Sequence, residues 1–97
     1  MNLYIFAERK AIPRLPGEDS LYVKCQIEGE SRLYEEIFRF DQTADLPRDL
    51  LVDSSIDKAR SSVSDYRAKG TEIAVNLDKQ VSGISDRDRK ILLDFFN

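Results

Sequence analysis

The stretch LYVKCQIEGESRLYEEIFRF, residues 21–40, decides the fold. Leu21, Val23, Cys25 and Ile27 alternate with Tyr22, Lys24, Gln26 and Glu28. That period of two belongs to a strand with one face buried and the other turned outward. Glu28-Gly29-Glu30-Ser31 then reads as a turn, and Arg32–Phe40 as the returning arm of a hairpin. The returning arm also fits a helical face through Leu33, Ile37 and Phe40. Hairpin geometry favours the strand, with a bulge at Glu35-Glu36 to reset its alternation.

Working outward, Asn2–Ala7 is rich enough in apolar and aromatic side chains for a further strand. Residues 11–20 contain Pro13, Pro16 and Gly17, which exclude a helix and mark a loop. Beyond the hairpin, Pro47 suits the first turn of a short helix through Val52, with Asp45 or Leu46 at its cap. Ser54-Ser55-Ile56-Asp57 is a capping-box pattern opening a helix with the apolar face Ile56, Ala59, Val63 and Tyr66, stopped by Gly70. Ile73, Val75 and Leu77 alternate as a fourth strand. Ser85-Asp86-Arg87-Asp88 opens a terminal helix that buries Ile91, Leu92, Phe95 and Phe96. The expectation is one compact α+β domain over residues 1–97: an antiparallel sheet of three to four strands with two to three helices packed on one face.

Charge is unevenly spread. The 97 residues carry a net charge of −3, yet residues 28–57 hold nine acids against Arg32, Arg39 and Arg48, a net of −6. The flanking thirds are slightly positive. Such a field repels nucleic acid and attracts a basic protein surface. Within it, Asp41, Asp45, Asp49, Asp53 and Asp57 recur every fourth residue. Four helical residues rise ~6 Å, close to the ~6.8 Å spanned by two phosphate steps along one strand of B-DNA. Like charges at this spacing disfavour an isolated helix, so the row asks for a reason. Polyanion mimicry is one. Helix capping is the other, since Asp45 and Asp53 stand at helix starts and Asp49 and Asp57 in first turns. Capping does not reach Glu28, Glu30, Glu35 and Glu36, which precede any helix. The break at Pro47 also means that the row is not one continuous helix.

Chemistry is excluded more firmly than it is suggested. The chain has no histidine, so the usual general base near neutral pH and the commonest metal ligand are missing. Its single cysteine, Cys25, forms no intrachain disulfide, sits in an apolar alternation and reads as a small buried hydrophobe. The four glycines are dispersed, so no phosphate cradle exists, and no glycine-centred oxygen-rich loop offers a calcium site. No catalytic residue, metal ligand or cofactor is expected, and an enzyme is not. The short apolar run Leu3–Ala7 makes neither a signal peptide nor a membrane span, so a cytoplasmic protein is expected. Lys58, Arg60, Arg67, Lys69, Arg87, Arg89 and Lys90 read as solvated helix faces rather than a nucleic-acid stripe.

The NLYIFAERK strand, the acid-rich YVKCQIEGESRLYEEIFRF hairpin and the Asp41–Asp57 series together resemble phage-encoded type I-F anti-CRISPR proteins of the DNA-mimic kind. The resemblance implies a monomer acting in the host bacterial cytoplasm. It would bind the RNA-guided Cascade or Csy-type surveillance complex on the basic surface of its large and backbone Cas subunits, where target duplex is first recognised. The acids Glu28, Glu30, Glu35, Glu36, Asp41, Asp45, Asp49, Asp53 and Asp57 are the candidate partner-binding residues, with exposed aromatics such as Tyr34 or Tyr66 adding apolar contact. The alternative from the same charge pattern is an acidic antitoxin or immunity protein neutralising a basic toxin or nuclease.

Overall fold

Alternating polarity builds four strands, and they pair into one sheet. The computed structural model describes residues 1–78 and 83–97. In it β1 spans Asn2–Ala11, β2 Glu18–Ile27, β3 Leu33–Asp41 and β4 Ala74–Leu77, in spatial order β3-β2-β1-β4. The β1–β2 and β2–β3 pairs are antiparallel. β1 runs past Ala7 because pairing continues to Ala11 opposite Asp19, which confines the loop to residues 12–17.

Two expectations about the sheet change in detail. No bulge interrupts β3: Lys24 faces Glu35 and Val23 faces Glu36 in unbroken register. The alternation survives because Glu36 takes an inward position between Tyr34 and Phe38, where the Ser55 amide at a helix start donates to its carboxylate at 3.1 Å. The second change is direction. β4 lies parallel to β1, with Leu3 opposite Val75 and Ile5 opposite Leu77, so the sheet is mixed. A strand that follows a helix cannot return by a tight hairpin; the helical crossover delivers it parallel.

That crossover is α1, Ser55–Ala68. Ser54 caps it, its Oγ accepting from the amides of Ile56 at 3.1 Å and Asp57 at 3.4 Å. Gly70, at φ +90°, ends it: the Gly70 amide donates to the Arg67 carbonyl and the Thr71 amide to that of Tyr66. The final helix, α2, spans Asp86–Phe96 and is capped by Ser85, which accepts from the Asp88 amide. Both helices cover the same sheet face. Leu3, Ile5, Ala7, Leu21, Val23, Cys25, Ile27, Phe38 and Phe40 meet Ile56, Ala59, Val63, Leu92, Phe95 and Phe96 in one core. Gly83 is needed where the chain enters α2: at φ +80°, an added Cβ would lie 2.2 Å from the Arg9 carbonyl oxygen.

Pro47 opens a 3-10 turn over Arg48–Leu51, shorter than the helix expected there, and it buries Leu51. No described helix is long and apolar enough to cross a membrane. The described residues leave the opposite sheet face uncovered. Tyr4, Phe6, Leu33 and Ile37 point outward from it, Ile37 with 64 % of its surface exposed.

Candidate acidic partner-binding surface

The nine candidate acids separate into groups with different surroundings. Glu28 sits at the sheet end, where the backbone and side-chain nitrogens of Asn2 donate to it at 2.8 and 3.0 Å. Glu35 points out from β3 and accepts the Tyr22 hydroxyl at 2.6 Å. Glu36 lies inward against the first turn of α1. Glu30 accepts the Tyr66 hydroxyl from the last turn of that helix. The glutamates that capping did not reach in the sequence therefore all have partners, and Glu36 meets a helix start from across the sheet edge.

The aspartate series is not a ridge. Asp41 closes β3 and accepts both the amide and hydroxyl of Thr43, at 2.7 and 2.6 Å. Those two bonds hold its carboxyl below the ordinary aspartate range. Asp45 caps nothing; it pairs with Arg87 at 3.3 Å, and the expected cap position falls to Pro47 instead. Asp49 stands exposed in the 3-10 turn. Asp53 precedes α1 at φ +62°, and the cap is Ser54 rather than Asp53. Asp57 reaches back to the Asp53 amide at 3.0 Å and pairs with Arg60 at 3.6 Å.

The fold does bring part of the set together. α1 runs antiparallel to β3: its start meets Glu36, Ser62 meets the Tyr34 hydroxyl at 3.0 Å, and Tyr66 meets Glu30. Glu36, Asp53 and Asp57 therefore gather at one end of this flank, and Glu30 and Asp65 at the other. Shallow clefts of ≈ 200 Å³ mark each end, one lined by Asp53 and Asp57 and the other by Glu30 and Asp65. Lys58 and Lys69 line the same clefts, so the flank is acid-rich rather than purely anionic. Glu28, Asp41 and Asp45 make their bonds elsewhere, to Asn2, Thr43 and Arg87 respectively. Tyr34 is buried, which removes it as an exposed contact, whereas Tyr66 is half-buried beside Glu30.

Sequence reasoning missed the most demanding polar group of the chain. Arg9 emerges from β1 toward the core face and uses every arm of its guanidinium. Nε meets Asp19 at 2.7 Å, Nη1 meets Asp88 at 2.8 Å, and Nη2 donates to the carbonyls of Gln42 and Ala44. Its Cζ lies 4.5 Å from the Phe40 ring centroid. Burial works against the charge, but the bonds to both carboxylates outweigh it and raise the Arg9 pKa. The signal available was weak: an arginine late in an apolar strand. The basic residues read as solvated are partly structural too. Arg67 donates to the Ile73 and Phe96 carbonyls, tying the end of α1 to the residue before β4 and to α2. Cys25 is fully buried and its thiol is pushed up to about 12 by burial. Among the described residues no three acid or cysteine side chains are grouped to hold a metal ion.

No family model, no curated protein and no solved structure matches this chain.

Proposed function

We propose that the chain is an acidic inhibitory binding protein whose carboxylates take the place of nucleic-acid phosphates on a basic partner. The partner is the target-DNA recognition surface of a type I CRISPR surveillance complex, to which the resemblance in residues 2–57 leads. The observation that carries the reading is the acid-rich flank formed by β3 and α1, where Glu30, Glu36, Asp53, Asp57 and Asp65 come from separate stretches of sequence. Ionised carboxylates have about four acceptor sites each, so an acid that holds a fold donor still offers oxygens to a lysine or arginine. Glu36 spends one oxygen on Ser55 and Glu30 one on Tyr66. Inhibition by occupation needs no catalytic group. The absence of histidine from the sequence and the burial of Cys25 agree with a binding role.

Competition is the direct test. Purified surveillance complex is mixed with labelled target duplex and rising amounts of this protein, and duplex binding is followed at two salt concentrations. The duplex is displaced, and less effectively at high salt, because exposed charges are screened over ~8 Å at physiological ionic strength. Unchanged duplex binding at saturating protein overturns the proposal. Capture of one small basic protein from host lysate, in place of a ribonucleoprotein, moves the reading to an antitoxin or immunity protein.

A further inference from the structure

We propose that two copies of this chain join edge to edge through β3, antiparallel about a two-fold axis at Ile37, to form one continuous sheet. The inference goes beyond the inhibitory reading and does not depend on it.

β3 is an edge strand nine residues long, bonded only to β2, whereas the opposite edge, β4, has four residues. Among the described residues, no backbone group of Leu33–Phe40 bonds to any segment but β2. One side of a long strand is therefore left with free amides and carbonyls, a template for another strand. Exposed edges are usually protected by proline, lysine, a bulge or an inward-pointing charge. β3 has no proline, lysine or bulge, and its one inward charge, Glu36, is held by the Ser55 amide of its own chain. Its outward row instead reads Leu33, Glu35, Ile37, Arg39, Asp41.

Inverting that row about Ile37 makes its centre, Glu35 to Arg39, complementary to itself, with Leu33 falling opposite Asp41 at the ends. Ile37 meets Ile37 of the second copy on the axis. Glu35 meets Arg39 of the second copy, and symmetry repeats the pair on the other side. Opposite charges and apolar side chains directly across an antiparallel pair stabilise it, while like charges are destabilising. The neighbouring registers fail on this count. Centring on Glu36 sets two glutamates against each other on the axis, and centring on Phe38 sets Glu35 against Asp41 twice. Registers shifted by a single residue would put the helices of the two copies on opposite faces, which a two-fold axis normal to the sheet forbids. Among the registers that pair most of β3, the axis at Ile37 is the one that charge and symmetry favour. Both copies of α1 then stand on one side of the joined sheet, and the outward row of β3 becomes a central seam.

Sedimentation equilibrium of the full chain over about 1–500 µM reads the association directly. A reversible monomer–dimer equilibrium is expected. Ile37→Lys places two ammonium groups on the axis and weakens dimerisation at least tenfold. Because Ile37 is 64 % exposed, the monomer keeps its fold and melting temperature. Arg39→Glu sets acids against each other and also weakens association. Glu35→Arg combined with Arg39→Glu exchanges the charges and restores it. A monomer at every concentration overturns the proposal. So does an unaffected dimer in Ile37→Lys, or a charge-exchanged double variant no tighter than Arg39→Glu alone.

Discussion

Arg9 and Asp88, seventy-nine residues apart in sequence, meet at 2.8 Å with the Asp88 side chain wholly buried. The pair joins the first strand to the last helix, and the second oxygen of Asp88 accepts the Leu46 amide at 2.7 Å. One carboxylate thus fixes three places: β1, the start of α2 and the segment that follows β3. Arg9 completes the arrangement by holding the Gln42 and Ala44 carbonyls of that segment.

Removing Arg9 leaves the buried Asp88 carboxylate without its counter-charge, which costs about 3–5 kcal/mol, whereas Asp88→Asn leaves Arg9 still paired with Asp19 and should cost less, about 1–3 kcal/mol. Urea unfolding of Arg9→Met and Asp88→Asn measures both losses. Asp88→Asn keeps an oxygen for the Leu46 amide but turns a donor toward the guanidinium. The double variant should cost less than the sum of the singles, by about 1–3 kcal/mol, because the residues share one network. Additive losses would show that the pair does not act as a unit.

The sheet was legible where one pattern dominated. Leu21–Ile27 alternates cleanly, and its burial follows the alternation residue by residue. Both capping serines, Ser54 and Ser85, were readable because a hydroxyl before an apolar periodic run has few other uses. What stayed hidden depended on contacts between distant segments. Asp88 occupies the acid position of a capping box, and nothing local distinguishes a solvated acid there from one that receives Arg9 across the fold. Glu36 looked misplaced in β3 because its partner, the Ser55 amide, lies beyond the intervening loop. The direction of β4 likewise followed from where α1 crosses, not from the residues of the strand. For the candidate acids, spacing suggested a line, and the break at Pro47 and the positive φ at Asp53 divided it.

Ser54 and Asp53 allow the start of α1 to be tested separately from its charge. Ser54 accepts two first-turn amides and donates to the Leu51 carbonyl at 2.7 Å. Ser54→Ala is expected to cost about 1–2 kcal/mol in thermal or urea unfolding. Asp53→Gly removes a neighbouring acid but relieves its left-handed conformation, so stability is expected to hold within about 0.5 kcal/mol or rise. Equal losses from the two changes would contradict the assignment of Ser54 as the cap.

Cys25 sets an alkaline limit. Its folded thiol is pushed up to about 12 by burial, above the ordinary value of 9.0. A raised pKa means that the unfolded chain gives up its proton first. The contribution is fully present below pH 9.0 and is lost as pH rises toward about 12. Tyr22 and Tyr66 act in the same direction, each raised by the hydrogen bond it donates, to Glu35 and Glu30 respectively. Melting temperature should therefore fall through this range, with a shallower decline in Cys25→Ala. Below it, the native thiol should resist a disulfide reagent and react fully only in denaturant. Rapid modification of the folded protein at pH 8 would place Cys25 at the surface.

The acids can be divided into those the fold needs and those free for a partner. Glu36→Ala removes the acceptor of the Ser55 amide and should cost about 1–2 kcal/mol, whereas Glu36→Gln keeps an oxygen and loses only the charge at the helix start, about 0.5 kcal/mol. Asp53→Asn alters an exposed side chain of the flank and should leave stability within about 0.5 kcal/mol. If the flank binds a basic surface, each of these amide changes should nevertheless weaken the complex, by up to about 1 kcal/mol for an exposed pair. The combined amide variant should also bind with a shallower salt dependence, since fewer charges are screened. Melting curves and competition titrations on the same preparations separate the two roles. Unaltered affinity together with an unaltered salt response would remove the flank as the binding surface and leave Glu36 only its bond to the start of α1.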